Sequence, residues 1–170
     1  MSLKWIGAIL IIISCGGTGF AFAANHRRTE MAFRHLISAL DYMECELQYH
    51  LTPLPELCKM TGRSVSGTVG RVFQQLAEEM DRQIAPEVST CMDASVACFP
   101  ELPEPVGKQL CELGKTLGRF DLPGQLRGIG SVRRNCRRTL EQLERNREFR
   151  LRSYQTLGLC AGAALAILLM

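Results

Sequence analysis

Apolar side chains run unbroken by charge at both ends of the chain and recur at helical steps between them. From Trp5 to Ala24, 20 residues carry no charged side chain, and from Ser153 to Met170 another 18 carry none. At about 1.5 Å per residue, helices of these lengths cover about 30 and 27 Å, close to the hydrocarbon thickness of a bilayer. The pattern predicts transmembrane helices over residues 3–24 and 153–170, with residues 25–152 folded between them.

In that middle region Phe33, Leu36, Ile37, Leu40, Met43 and Leu47 form one apolar stripe, the mark of a helix buried along one side, and the stripe stops near Tyr49. Thr52 is the expected N-cap of the next helix and Pro53 its first residue, because the N–H that proline lacks is unpaired there in any helix. This second helix is short and ends at Gly62. Gly67 and Gly70 mark a loose entry to a third, in which Val69, Val72, Phe73, Leu76 and Met80 repeat the stripe. A fourth starts at Pro86 and runs to about Cys98, before the proline-rich connection from Phe99 to Pro105. Val106, Leu110, Leu113 and Leu117 drive a fifth, closed by Gly118 just past its end. Asp121 offers a side-chain oxygen to cap the last helix, with Pro123 in its first turn. Leu122, Leu126, Ile129, Val132, Cys136, Leu140 and Leu143 keep helical spacing, and no proline follows residue 123, so this helix is expected to run on into the second uncharged stretch. Nothing alternates with the period of a strand. The fold class is all-α, a bundle of about six helices.

Charge converts this pattern into a topology, because Lys and Arg are retained on the cytoplasmic side of a membrane. His26, Arg27 and Arg28 follow the first uncharged stretch; Arg145, Arg147, Arg150 and Arg152 precede the second; only Lys4 lies outside. Residues 25–152 are therefore expected in the cytoplasm, with both termini across a cell membrane. A competing reading takes Lys4, the apolar run and Ala21-Phe22-Ala23 as a cleaved signal peptide, which would make this an exported envelope protein with paired cysteines. Against it stand the length of the run and the arginines directly behind it. The eight cysteines include Cys15 and Cys160 inside the expected spans, and no pair has the spacing of a zinc site, so free reduced thiols are expected. Cys91 and Cys98 are too far apart along a helix to bond.

The net charge of +3 hides a division. Residues 41–112 hold twelve acidic and five basic side chains, a balance of −7, whereas residues 119–152 hold ten basic and four acidic ones, a balance of +6. The basic last helix is expected to pack partly on acidic helices and partly to face anionic headgroups. A sharper reading makes Asp41, Glu44, Glu78, Glu79 and Asp81 a docking face for a basic cytoplasmic protein. Nucleic acid is not expected at Arg133, Arg134, Arg137 and Arg138, where aromatic side chains for base stacking are scarce. Gly114-Lys115-Thr116 resembles the end of a phosphate loop, but residue 109 is Gln where that motif starts with Gly, and a helix precedes it instead of a strand. The scattered His26, His35 and His50 provide no catalytic set, so no catalytic, metal or cofactor residue is nominated. Gly158 and Gly162 place small residues one helical turn apart in the second stretch, where they would let the two spans, or neighbouring subunits of a homo-oligomer, approach closely.

The order of these features resembles the stage III sporulation protein AB family of endospore-forming bacteria. The residues that carry the resemblance are Trp5 to Ile12; Leu36-Ile37-Ser38-Ala39-Leu40 with Glu44 and Glu46; Thr52-Pro53-Leu54-Pro55; Leu117-Gly118 with Asp121 and Gln125; and Tyr154-Gln155-Thr156-Leu157-Gly158. The chain differs from that family's pattern in its cysteine richness, in His50 and in the glycines from Gly62 to Gly70. The resemblance implies a non-enzymatic component of the mother-cell half of the channel joining mother cell and forespore. It also implies similarity to the helical cytoplasmic domains of the type II secretion platform protein. The implied partners are a secretion-type cytoplasmic ATPase like stage III sporulation protein AA and other membrane components of the channel. Asp121 and Gln125 are then the residues expected to fix the turn that starts the last helix.

Overall fold

A computed structural model describes residues 26–50, 52–82 and 87–145 in full, and the helix assignment alone extends over 2–25 and 146–169. The elements in chain order are α1 (Ser2–Tyr49), α2 (Leu54–Ser64), α3 (Gly67–Asp81), α4 (Val88–Ala97), α5 (Glu104–Gly114) and α6 (Leu122–Leu169). The protein is all-α, with no strand among the described residues. The expected spans over 3–24 and 153–170, and with them Gly158 and Gly162, lie outside the described residues. Among the described residues no helix is long and apolar enough to cross a membrane.

The apolar stripes meet in one core. Phe33, Leu36, Leu40 and Met43 of α1 are fully buried, together with Val69, Val72, Phe73 and Leu76 of α3 and Val106, Leu110 and Leu113 of α5. α6 contributes Ile129, Val132 and Cys136, while Leu122, Leu126, Leu140 and Leu143 pack at the margin. Burying such a side chain stabilises the fold by about 1.5–3 kcal/mol, so these stripes, more than helix propensity, hold α1 and α6 in place. The two buried hydroxyls are satisfied within their own helices: Thr61 donates to the Leu57 carbonyl and Ser95 to that of Cys91, each at 2.7 Å.

α2 and α3 form a hairpin so tight that glycine is required at its contact. A Cβ on Gly70 would stand 2.0 Å from the Val65 carbonyl oxygen and 2.9 Å from that of Gly62. Gln74 Nε2 spans the same contact, donating to the Gly62 carbonyl at 3.0 Å. The glycines from Gly62 to Gly70 are therefore a packing device; Gly67 opens α3 and Gly70 lies inside it, where the sequence suggested a loose stretch.

Three other boundaries differ from expectation. α2 begins after Thr52: Leu57 N donates to the Pro53 carbonyl at 2.9 Å, which makes Pro53 the N-cap, Leu54 the first helical residue and Pro55 the second. It continues past Gly62 to Ser64. α4 starts at Val88, with Glu87 as its N-cap and Pro86 outside the described residues.

Candidate functional site

The charged residues singled out by the sequence fall into separate places. Asp41 and Glu44 stand on adjacent turns of α1 and face α6. There Arg133 donates to Asp41 Oδ1 at 2.8 Å and also to Glu44 Oε2, and Arg137 lies 3.7 Å from the other oxygen of Asp41. Arg133 is only 26% exposed and Glu44 23%, so this is the least solvated ion cluster of the described surface. The hydrogen bond with Asp41 raises the Arg133 guanidinium above its ordinary value, against the opposing effect of burial. Farther along the seam Arg34 bridges Glu30 at 3.0 Å and Glu144 at 2.8 Å, and His26 Nε2 lies 3.2 Å from the Leu143 carbonyl oxygen.

These pairings fix the relative direction of α1 and α6. Residue 26 meets residue 143 and residue 41 meets residue 133, so advancing along α1 means retreating along α6. The helices are antiparallel. Residues preceding His26 and residues following Glu144 therefore leave the bundle from the same end.

Glu78, Glu79 and Asp81 occupy the last turn of α3 and share no ion pair with Asp41 or Glu44. Glu78 lies 3.8 Å from Arg82, Glu79 accepts from Gln75 Nε2 at 2.9 Å, and Asp81 is exposed. The acidic face envisaged from sequence is thus divided: part is consumed in the α1–α6 seam, and part remains open at the end of α3.

The turn into α6 is held by side chains. Asp121 Oδ1 accepts from Gly124 N at 3.1 Å, the N3 position of the helix, while Gln125 N bonds the Asp121 carbonyl at 2.9 Å. Gln125 Nε2 donates to the Phe120 carbonyl at 2.9 Å, so the two side chains clasp the turn from both sides. Just before it, Gly118 adopts φ +72°, a left-handed conformation that L side chains avoid. The regular part of α5 ends earlier, at Gly114. Thr116 N and Leu117 N both bond the Leu113 carbonyl, at 3.0 and 3.1 Å, and this tightened turn carries the chain to Gly118. Gly118 also lines a cavity of about 290 Å³ with Glu87, Val88, Ser89 and Lys115. Lys115 itself is 2.6 Å from Glu112 at the end of α5, far from the strand-to-helix setting of a phosphate loop.

Thr52, displaced from the cap, donates its hydroxyl to Glu46 Oε2 at 3.3 Å and so ties the α1–α2 turn to the end of α1. None of the six described cysteines is bonded to another. Cys58, Cys91 and Cys136 are buried, Cys111 is half-buried, and Cys45 and Cys98 are exposed. Burial pushes the Cys58 and Cys136 thiols up to about 12.

The seam and the clasped turn define an all-α bundle protein organised around two long antiparallel helices. The protein-family model described as Stage III sporulation protein AB matches residues 4–170, so the chain belongs to that family of sporulation proteins. It is 25% identical over 171 aligned residues to Stage III sporulation protein AB of Bacillus subtilis (strain 168), covering 99% of each chain. A solved structure titled Stage III sporulation protein AB superposes with a TM-score of 0.64 at 20% identity, over 72% of this chain and 98% of that one, and shows the same fold.

Proposed function

We propose that this stage III sporulation protein is a membrane-anchored platform in the channel between mother cell and forespore. Its helical bundle lies in the mother-cell cytoplasm and docks a secretion-type ATPase. α6 transmits the ATPase's movements to the membrane assembly, and no chemistry is assigned to any residue. The observation that carries this reading is the antiparallel α1–α6 pair, which directs both uncharged terminal stretches out of one end of the bundle, behind a collar of basic residues. A hairpin of that kind can enter a single bilayer twice while keeping residues 25–152 on one side.

The ATPase-docking surface in this reading is the end of α3, where Glu78, Glu79 and Asp81 keep their charge available to a basic partner. The test is a titration of the purified ATPase against the full chain in detergent micelles. Charge reversal by E78K with E79K is expected to weaken binding at least about tenfold, since like charges are then opposed. Unchanged affinity would remove this face from the interaction.

A further inference from the structure

Four arginines stand in line on α6. Arg127, Arg134, Arg138 and Arg145 follow one another at steps of seven, four and seven residues, and all are exposed. At 3.6 residues per turn they fall within about 40° of each other around the axis and extend about 27 Å along it. Arg133 and Arg137, turned toward α1, are occupied by Asp41 and Glu44. The four in line hold no carboxylate among the described residues: Arg127 donates only to the Pro123 carbonyl of its own helix, at 3.3 Å, and Glu141 beside the line pairs with neither Arg138 nor Arg145. Exposed cations elsewhere are treated differently, since Arg71, Arg82, Lys108 and Lys115 each sit on an acid. Like charges along one helix face repel, and this line leaves them without compensation inside the molecule.

The spacing indicates what neutralises them. Steps of seven, four and seven average close to the 3.5-residue repeat by which two helices stay in register when packed lengthwise. A lipid surface does not fit, an argument that rests on the membrane reading above. Counting about 1.5 Å per residue from Ser153, Arg138, Arg134 and Arg127 lie roughly 22, 28 and 39 Å from the start of the uncharged stretch, beyond the ~10 Å reach of headgroup charge. Duplex phosphates wind once in about 34 Å and leave a straight 27 Å line well before its end. A second copy offers no match either: the longest acidic helix outside the α1–α6 pair, α3, has 15 residues, and the acids of α1 at the seam are engaged. We propose that this line of arginines docks an acidic helix of another protein, about 19 residues or longer, with carboxylates at the same heptad steps, laid lengthwise on α6.

The test is fluorescence anisotropy with the full chain in nanodiscs of zwitterionic lipid and two synthetic helix-forming peptides of one composition. One peptide carries its glutamates at the matching steps and the other spreads them around the helix. The matched peptide is expected to bind, and its spread isomer to bind at least about fivefold more weakly. Replacing Arg134→Gln together with Arg138→Gln should weaken the matched peptide by about fivefold with an unchanged circular dichroism spectrum, whereas R134K with R138K retains most of the affinity. Arg63→Gln, an exposed arginine of α2, should change nothing. The proposal is overturned by equal affinity for the two isomers or by indifference to the R134Q/R138Q pair. It is also overturned by tighter binding of duplex DNA through the same arginines, or by loss of the matched peptide once phosphatidylglycerol is added to the nanodiscs. None of these outcomes depends on which side of a membrane the bundle occupies, which thiol labelling in cells decides separately.

Discussion

Gly124 N reaches Asp121 Oδ1 at 3.1 Å in the first turn of α6, and loss of that bond leaves an N-terminal amide without its partner. Asp121→Ala is therefore expected to cost about 1 kcal/mol, read as a lower unfolding midpoint in denaturant. Gly118 responds for a different reason: alanine there is strained by φ +72° and brings its Cβ to 3.0 Å from Val88 Cγ2. The buried thiols give a pH signature. Cys58 and Cys136 ionise near 12 in the folded protein against an ordinary value of 9.0, so their folded-state values are raised. The stability they contribute is intact below about pH 9 and is lost progressively as pH rises toward 12, at on the order of 1 kcal/mol per pH unit for each thiol. Urea midpoints at pH 8 and at about 10.5 should show this fall, and Cys58→Ala with Cys136→Ala should flatten it. At this scale the sequence was readable wherever a side chain acts on its own turn. An aspartate directly before Leu-Pro names its cap, and Leu-Gly before it names the left-handed break. Thr52 was not readable, because Pro53 and Pro55 allow two starting registers, and only the Leu57-to-Pro53 bond selects between them.

α6 enters the core through only a few buried residues, Ile129, Val132 and Cys136 among them, so the ionic seam with α1 carries a larger share of its attachment than surface pairs usually do. A double-mutant cycle of Arg133→Gln and Asp41→Asn should give a coupling of about 1 kcal/mol that shrinks as salt is raised. In the α2–α3 hairpin, Gly70→Ala should destabilise by about 1–3 kcal/mol or more, because the Cβ would strike backbone that cannot swing aside. Helix periodicity made every one of these elements visible beforehand, since the stripe residues from Phe33 to Leu143 are the core residues. What periodicity cannot carry is pairing between elements. The charge division predicted that the last helix would lie against acidic partners, but the choice of Arg133 for Asp41 and Glu44, with Glu78 and Glu79 left at the end of α3, depends on which helices are neighbours in space. The Gly62–Gly70 contact was hidden likewise, because glycine in sequence reads as freedom, and only the facing backbone shows it as a requirement.

For the whole molecule, direction is what matters. Two helices joined by a compact bundle could leave it at opposite ends; the contacts of His26 with Leu143 and of Asp41 with Arg133 send them out together. The basic residues on either side of that exit agree with a membrane lying there. Cys45 and Cys98 are exposed, bonded to nothing, and belong to the part proposed to remain inside the cell, which makes them natural reporters of sidedness. The measurement is labelling with a membrane-impermeant maleimide before and after lysis of spheroplasts producing the full chain, with the modified cysteines located by mass spectrometry. Cys45 and Cys98 should stay unmodified in intact spheroplasts and become modified on lysis, while Cys58 and Cys136 resist in both. Modification of Cys45 or Cys98 in intact spheroplasts would place the bundle on the outer side, where no cytoplasmic ATPase could reach it.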